Sequence, residues 1–521
     1  MAVTWKLIGL AAATSGAVTG GVIGLHAPST TVPDYSAVAG DPHLDVIART
    51  AAEAERIAAV RAAPTDFDAP QRFEARPGGA ATNMKIADEN AFSIASANIA
   101  FERELDFKVG NGLFKKLWVS SPASTLASDG LGPLYNARSC QRCHLKDGRG
   151  HPPEAPDDTA VSLVVRAAIP GDGPAPRDIE GYLPARGDPV YGQQISDFSI
   201  AGIPAEAGIA VEWEEHSVVL SDGEVAHLRR PRWRLTDLGY GPLHPDTVIS
   251  PRVAPQMIGL GLLEAIPAED ILALADPGDA DGDGISGRPH IVWSAEYERP
   301  MLGRFGVKAT APTLRQQAAD AFANDIGIST TVRRMPAGEC TAAQTACLQA
   351  PDGRTVAHDG EEVSDVALQL VTFYTQNLAV PVRRDVDDPE VLRGKAVFHA
   401  NGCAACHTPS FVTHRLADRP EQSFQLIWPY TDLLLHDMGP GLADGMPAGV
   451  ASGREWRTPP LWGIGLTPRV NGHSYYLHDG RARSLLEAVL WHGGEAQAAR
   501  DRVVEMPKAD RDALIRFIGS L

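Results

Sequence analysis

The chain has 521 residues, 44% of them hydrophobic, with Gly 50 and Pro 40, which is length for about three units of ~150 residues and a loop-rich build. Its formal net charge of −18 argues against nucleic-acid binding, because phosphate recognition needs a positive face. An acidic surface suits solubility or a basic partner.

Residues 1–27 carry Lys6 and then a run of small apolar residues from Leu7. This reads as a secretory signal cleaved near Ala27, or as a retained anchor over 7–27, and predicts a periplasmic chain. No other run is long enough to span a bilayer, so membrane contact is expected only if this segment is retained. Residues 28–84 read as an N-terminal extension.

"ARSCQRCHLKDGRG" (137–150) holds Cys-x-x-Cys-His, and "NGCAACHTPSF" (401–411) holds it again. A redox dithiol has no use for the trailing histidine, and a structural zinc site needs four close ligands where each motif offers three. Covalent haem accounts for every position. Two thiols add to the vinyl groups, and the adjacent histidine meets the iron. The reading is two covalently bound haem c groups: Cys140, Cys143 and proximal His144 for haem 1, and Cys403, Cys406 and proximal His407 for haem 2.

Residues 152–250 are rich in Pro, Gly and alternating apolar positions and predict short strands and loops that shape a substrate entrance or an oligomer contact. "SPRVAPQMIGLGLLEAIP" (250–267) echoes "EWRTPPLWGIGLTP" (455–468), a weak internal duplication that fits two haem-bearing halves. "DPGDADGDGISGRPH" places Asp279, Asp281, Asp283 and Gly284 at positions 1, 3, 5 and 6 of a calcium loop. His290 stands where a bidentate glutamate is expected, so the last ligand must come from elsewhere, such as the Ile285 carbonyl. With four cysteines committed to haem, Cys340 and Cys347 are left to form a disulfide, which an exported compartment permits.

Asp388 as N-cap and Pro389 at the first helical position start a helix running to about His399. Leu514, Phe517, Ile518 and Leu521 give the last helix its apolar face. A first helix before the haem and a last helix across it is a cytochrome c arrangement over 385–521. Ser484 and Glu487 form a capping box for a short helix that puts Leu485, Ala488, Val489 and His492 on one face. His492 is the candidate sixth ligand of haem 2, with Met438 the alternative and Met446 and His436 nearby. No residue stands out as sixth ligand of haem 1. His151, seven residues beyond His144, is the candidate, against a plain loop histidine.

"GPLYNARSCQRCHLKDGRG", "GCAACHTPSF", "WPYTDLLLHDMGPGLAD", "EWRTPPLWGIGL" and "HDGRARSLLEAVLWHGGEA" together resemble the di-haem oxidoreductase family. Its members are labelled peroxidases or "thiol oxidoreductases", and it is related to bacterial di-haem cytochrome c peroxidases. The resemblance covers roughly 85–521. It implies a mainly α fold of two cytochrome c-like haem domains: 85–380, expanded with short β-strands and long loops, and 385–521. It implies an enzyme that reduces hydrogen peroxide, or another small oxidant, with electrons from a small redox protein such as a cytochrome c or a cupredoxin. The alternatives are an electron-transfer cytochrome without peroxidase chemistry, or oxidation of a protein, thiol or metal-ion substrate. In the relatives, the sixth ligand of the electron-transfer haem lies fourteen residues beyond a His-x-Gly histidine. Here that histidine is His478, and the position is His492, where relatives place methionine or tyrosine. Relatives also use a glutamate, helped by a glutamine, as peroxide acid–base. That maps to the region of Glu264, with Gln256 and Arg252 upstream. They hold calcium between their haem domains. The sequence does not single out a tryptophan bridging the haems: Trp428 and Trp462 are two candidates among nine.

Overall fold

The computed structural model describes residues 34–521 apart from 86, 156–157, 159–161 and 177–178. The expected signal or anchor lies outside these residues. Among the described residues, no helix is long and apolar enough to cross a membrane.

The expectation of a mainly α fold is corrected. The chain is 30% helical and 18% strand, and the strands are spread over many small sheets. Proline and glycine cut the helical runs short, and the stretch expected to hold only short strands pairs over long lengths.

Helix α1 (Ala51–Arg61) starts at a capping box, in which the Thr50 side chain accepts from the Glu53 N–H. Helix α2 (Glu104–Lys115) precedes the first motif, whose cysteines sit on a single turn, α3 (Cys140–Cys143). Strand β1 (Leu163–Pro170) follows. Then come two twelve-residue strands, β2 (Gly208–Val219) and β3 (Val225–Thr236), and strand β4 (Val248–Val253). β4 returns antiparallel to β1, and β2 and β3 form an antiparallel hairpin in register along their whole length. Next come α4 (Leu260–Glu264), α5 (Asp365–Gln376) and α6 (Pro389–Ala400). Asp388 caps α6 by accepting from Glu390 and Val391 N–H groups. The second motif opens on a short 3-10 turn, Cys403–Ala405. Strands β5 (Leu435–Asp437) and β6 (Glu455–Arg457) pair with each other. The chain closes with α7 (Leu485–Leu490), α8 (Gln497–Glu505) and α9 (Lys508–Ser520).

α9 packs on α6 through Leu514 and Phe517 against Val391 and Phe398, with the two phenyl rings 5.2 Å apart. α2 packs on α5 through Phe107 and Phe114 around Tyr374. The largest core does not respect a boundary near 380. It joins Phe92, Ile258, Leu262 and Phe305 to Phe411, Trp462 and Val470.

The two echoing segments meet in that core. Gly259, at φ +69, lies so close to Trp462 that a Cβ would sit 2.3 Å from the indole. Gly463, at φ +74, would drive a Cβ to 2.5 Å from Ile258. Each half of the duplication therefore needs glycine against a bulky residue of the other.

The hairpin reaches across to the C-terminal helices. The Ser221 N–H donates to Val504 O at 2.9 Å and its hydroxyl to Met506 O at 2.7 Å. Arg511 pairs with Asp222 at 2.9 Å and Glu224 at 3.3 Å. His216 stands edge-on to Trp491 at 5.0 Å. A disulfide joins Cys340 to Cys347.

Candidate haem sites

At the first motif, the chain leaves the helical turn at His144 (φ −105, ψ 64), which frees the imidazole from α3. Its Nδ1 is 2.8 Å from the Pro255 carbonyl. A carbonyl only accepts, so Nδ1 carries the proton and Nε2 keeps its lone pair for a metal. His144 is only half-buried, yet desolvation pulls its pKa to about 4. Cys140 behaves alike: it is half-buried, and desolvation first, then Asp325, pushes its thiol up to about 12.

The second motif repeats the pattern. The His407 Nδ1 is 3.0 Å from the Tyr430 carbonyl, which again leaves Nε2 unprotonated. His407 is half-buried, and desolvation holds its pKa at about 4. On α7, Ser484 accepts from the Glu487 N–H at 3.1 Å, which fixes the helix start and the face that presents His492. The His492 Nδ1 lies 2.8 Å from Ala488 O, so a third histidine offers a bare Nε2. His492 and His407 are close enough for one ring to disfavour charge on the other.

Met438, the alternative, lies against the same segment, where a Cβ on Gly493 would meet its carbonyl at 3.0 Å. Met438 packs in the cluster with Leu442, Trp456 and Trp491. Met446 is buried beside Arg252, with Nη2 to Sδ 3.9 Å. The His151 Nδ1 faces Pro152 O at 2.9 Å, and its ring lies 5.3 Å from that of His473.

Glu264 is fully buried and fully engaged. One oxygen accepts from Leu314 N–H at 2.8 Å. The other accepts from Gln376 Nε2 at 2.8 Å and Arg419 Nη1 at 2.6 Å. Desolvation favours its neutral form, but Arg419 and His43 outweigh that and leave its pKa below the usual range. This is a locked structural carboxylate, and its bonds run to the shared core rather than to His144. Gln256 donates to Trp462 O at 2.7 Å.

In the acidic loop, one ligand oxygen from each of Asp276, Asp279 and Asp281 comes within 4.8 Å of the others. Asp283 instead accepts from Ile285 N–H at 2.8 Å. The structure thus brings Asp276, which sequence spacing left out, into the place expected of Asp283.

The residues fit haem. Each motif sets two thiols beside a histidine whose Nδ1 is fixed on a backbone carbonyl. Trp428, packed in the cluster that holds Cys403, has a buried indole N–H with no acceptor among the described residues, as a donor awaiting a cofactor carboxylate would. Arg149 and Arg457 are also half-buried while desolvation lowers each pKa to about 10.

A family model described as "Di-haem oxidoreductase, putative peroxidase" matches residues 73–170 and 192–521. The chain belongs to the di-haem oxidoreductase family. Membership makes it an oxidoreductase with two haems. The internal unmatched stretch, 171–191, contains the short strand Ala185–Arg186, which pairs with the end of β1. A search of curated proteins finds no match. Among solved structures, hydrazine synthase of Kuenenia stuttgartiensis, held under xenon pressure, aligns at 19% identity and a TM-score of 0.22. The alignment covers 31% of this chain and 57% of that one, just over half of the neighbour's length, and no argument rests on it.

Sequence reasoning noted His436 beside Met438 but missed its surroundings: it stands against Cys406 of the second motif, held between Asp432 and Glu495 at 2.7 Å each. The i, i+4 spacing of Asp432 and His436 was a signal for half of it.

Proposed function

We propose that this chain is an exported, periplasmic di-haem c-type oxidoreductase that reduces hydrogen peroxide with electrons from a small redox protein, a cytochrome c or cupredoxin. Cys140 and Cys143 would hold haem 1, and Cys403 and Cys406 haem 2, by thioether bonds. His144 and His407 would be the proximal ligands. His492 would be the distal ligand of haem 2. The observation that carries this reading is the set of three imidazoles whose Nδ1–H is bound to a backbone carbonyl, at 2.8, 3.0 and 2.8 Å, leaving each Nε2 ready for iron.

Bound haem would supply one-electron exchange at haem 2 and peroxide reduction at haem 1. The overall reaction takes H2O2, two electrons and two protons to two waters. The chain must supply the protons, and it holds a carboxyl suited to that near the first motif. Burial pushes Asp197 to about 7, near the working pH of a general acid. Asp197 accepts from Asn136 Nδ2 at 2.9 Å and lies within electrostatic reach of Cys143. The loop carrying Asp276, Asp279 and Asp281 would bind calcium.

The test uses protein made in a host that attaches haem c. Its mass should exceed that of the mature polypeptide by two haems. Its ferric spectrum should contain a high-spin component from haem 1. Peroxide should drive oxidation of reduced cytochrome c. Two low-spin haems without peroxide turnover would mark an electron carrier instead, and the absence of covalent haem would overturn the reading.

A further inference from the structure

His436 lies on β5 with 2% of its surface exposed, and the proposed chemistry gives it no task. Its Nε2 is 2.7 Å from Asp432 Oδ2, and its Nδ1 is 2.7 Å from Glu495 Oε2 and 3.6 Å from Cys406 Sγ. The sulfur stands for the thioether once haem 2 is attached. Both ring nitrogens face acceptors, and a neutral imidazole has one proton to offer, so the arrangement calls for an imidazolium.

The partners are built as carboxylates. Asp432 Oδ1 accepts from Leu434 N–H at 2.9 Å. Glu495 accepts from the Ser286 hydroxyl at 2.6 Å, the Ser286 N–H at 3.1 Å and the Asp437 N–H at 3.0 Å. Desolvation opposes charge on His436, but Asp432 and Glu495 overcome it and hold the ring well above the usual histidine range. Glu495 is in turn held at about 2: burial works to raise it, and the bonds from His436 and Ser286 outweigh that. Arg457 is the other cation within reach of Asp432.

Two histidine ligands give a haem a lower potential than histidine and methionine. Two anions beside the thioether, buried Asp432 and half-buried Glu495, would lower it further, because each disfavours arrival of an electron. We propose that His436 sets the reduction potential of haem 2, its fixed positive charge countering the two carboxylates and keeping the haem within reach of an electron donor. This rests on the reading of haem 2 as a covalently attached group with His407 and His492 as ligands. Glu495 lies three residues beyond His492, and Ser286 belongs to the acidic loop. The same cluster therefore ties the ligand-bearing segment to the N-terminal half.

An optical redox titration of the holoprotein tests it, with His436→Gln, His436→Lys and Glu495→Gln beside the wild type. His436→Gln should move the haem 2 midpoint to more negative potential. His436→Lys should stay nearer the wild type. Glu495→Gln should move it to more positive potential, since Asp432 still holds the ring charged. Haem 1 should stay put in all three. Opposite signs for the two neutralising variants separate electrostatics from disturbed packing, which would push both one way. A midpoint unmoved in either, or moved in the same direction in both, overturns the proposal while both haems remain in place. Wild-type protein lacking covalent haem 2 overturns it together with the functional reading beneath it.

Discussion

At the scale of single residues, the proposed function makes His492 the distal ligand of haem 2. Replacing it with alanine should convert that haem from low-spin to high-spin, read as loss of its low-spin EPR signal with the haem content intact. His492→Met should restore a low-spin haem at higher potential. Glu206 governs a pH response. It is 2% exposed and accepts from Ser196 N–H at 2.5 Å, and burial raises its pKa to about 8. A folded-state pKa above the unfolded value means that the stabilisation is complete below the unfolded pKa and is lost as pH rises through about 8. The melting temperature should therefore fall between about pH 5 and pH 9, and Glu206→Gln should flatten that slope, an effect on the order of a few kcal/mol. The two Cys-x-x-Cys-His motifs were legible because each packs its chemistry into five adjacent residues. The ion pairs of His436 were not, since one of its two partners, Glu495, lies 59 residues away. Glu264 looked free for acid–base work because its ion-pair partner, Arg419, is 155 residues further along the chain.

At the scale of elements, the crossing of the two echoing segments depends on Gly259. Alanine there would need a left-handed backbone and would press on Trp462. The cost should be about 2–4 kcal/mol, measured by denaturant unfolding, with haem attachment as the control for assembly. The caps were readable in sequence: Asp388 and Pro389 start α6, and Ser484 starts α7. The hairpin was read too short. Its turn at Asp222–Gly223 carries a hairpin signal, but strand length depends on cross-strand partners such as Arg232 with Glu214, at 2.8 Å, and on what the tip meets. That is Val504, Met506 and Arg511, far along the chain.

At the scale of the whole molecule, the expected division near residue 380 is crossed by the main core and by the hairpin. Heating the holoprotein should give one cooperative calorimetric transition rather than two. A fragment of 385–521 made alone should unfold at a lower temperature than the intact chain, because Phe411, Trp462 and Val470 would lose Ile258, Leu262 and Phe305. The mainly helical expectation failed at this scale for a related reason. Composition reveals that proline and glycine interrupt helices, but it cannot tell which interrupted stretches find a strand partner.

The hairpin also bears on how the chain would be assembled. Ser221 seats on Val504 and Met506, and His216 rests against Trp491, the residue before His492. Under the proposed function, a haem held by His492 would enter before the hairpin closes on that segment, and ligation would act on a chain that has not finished folding.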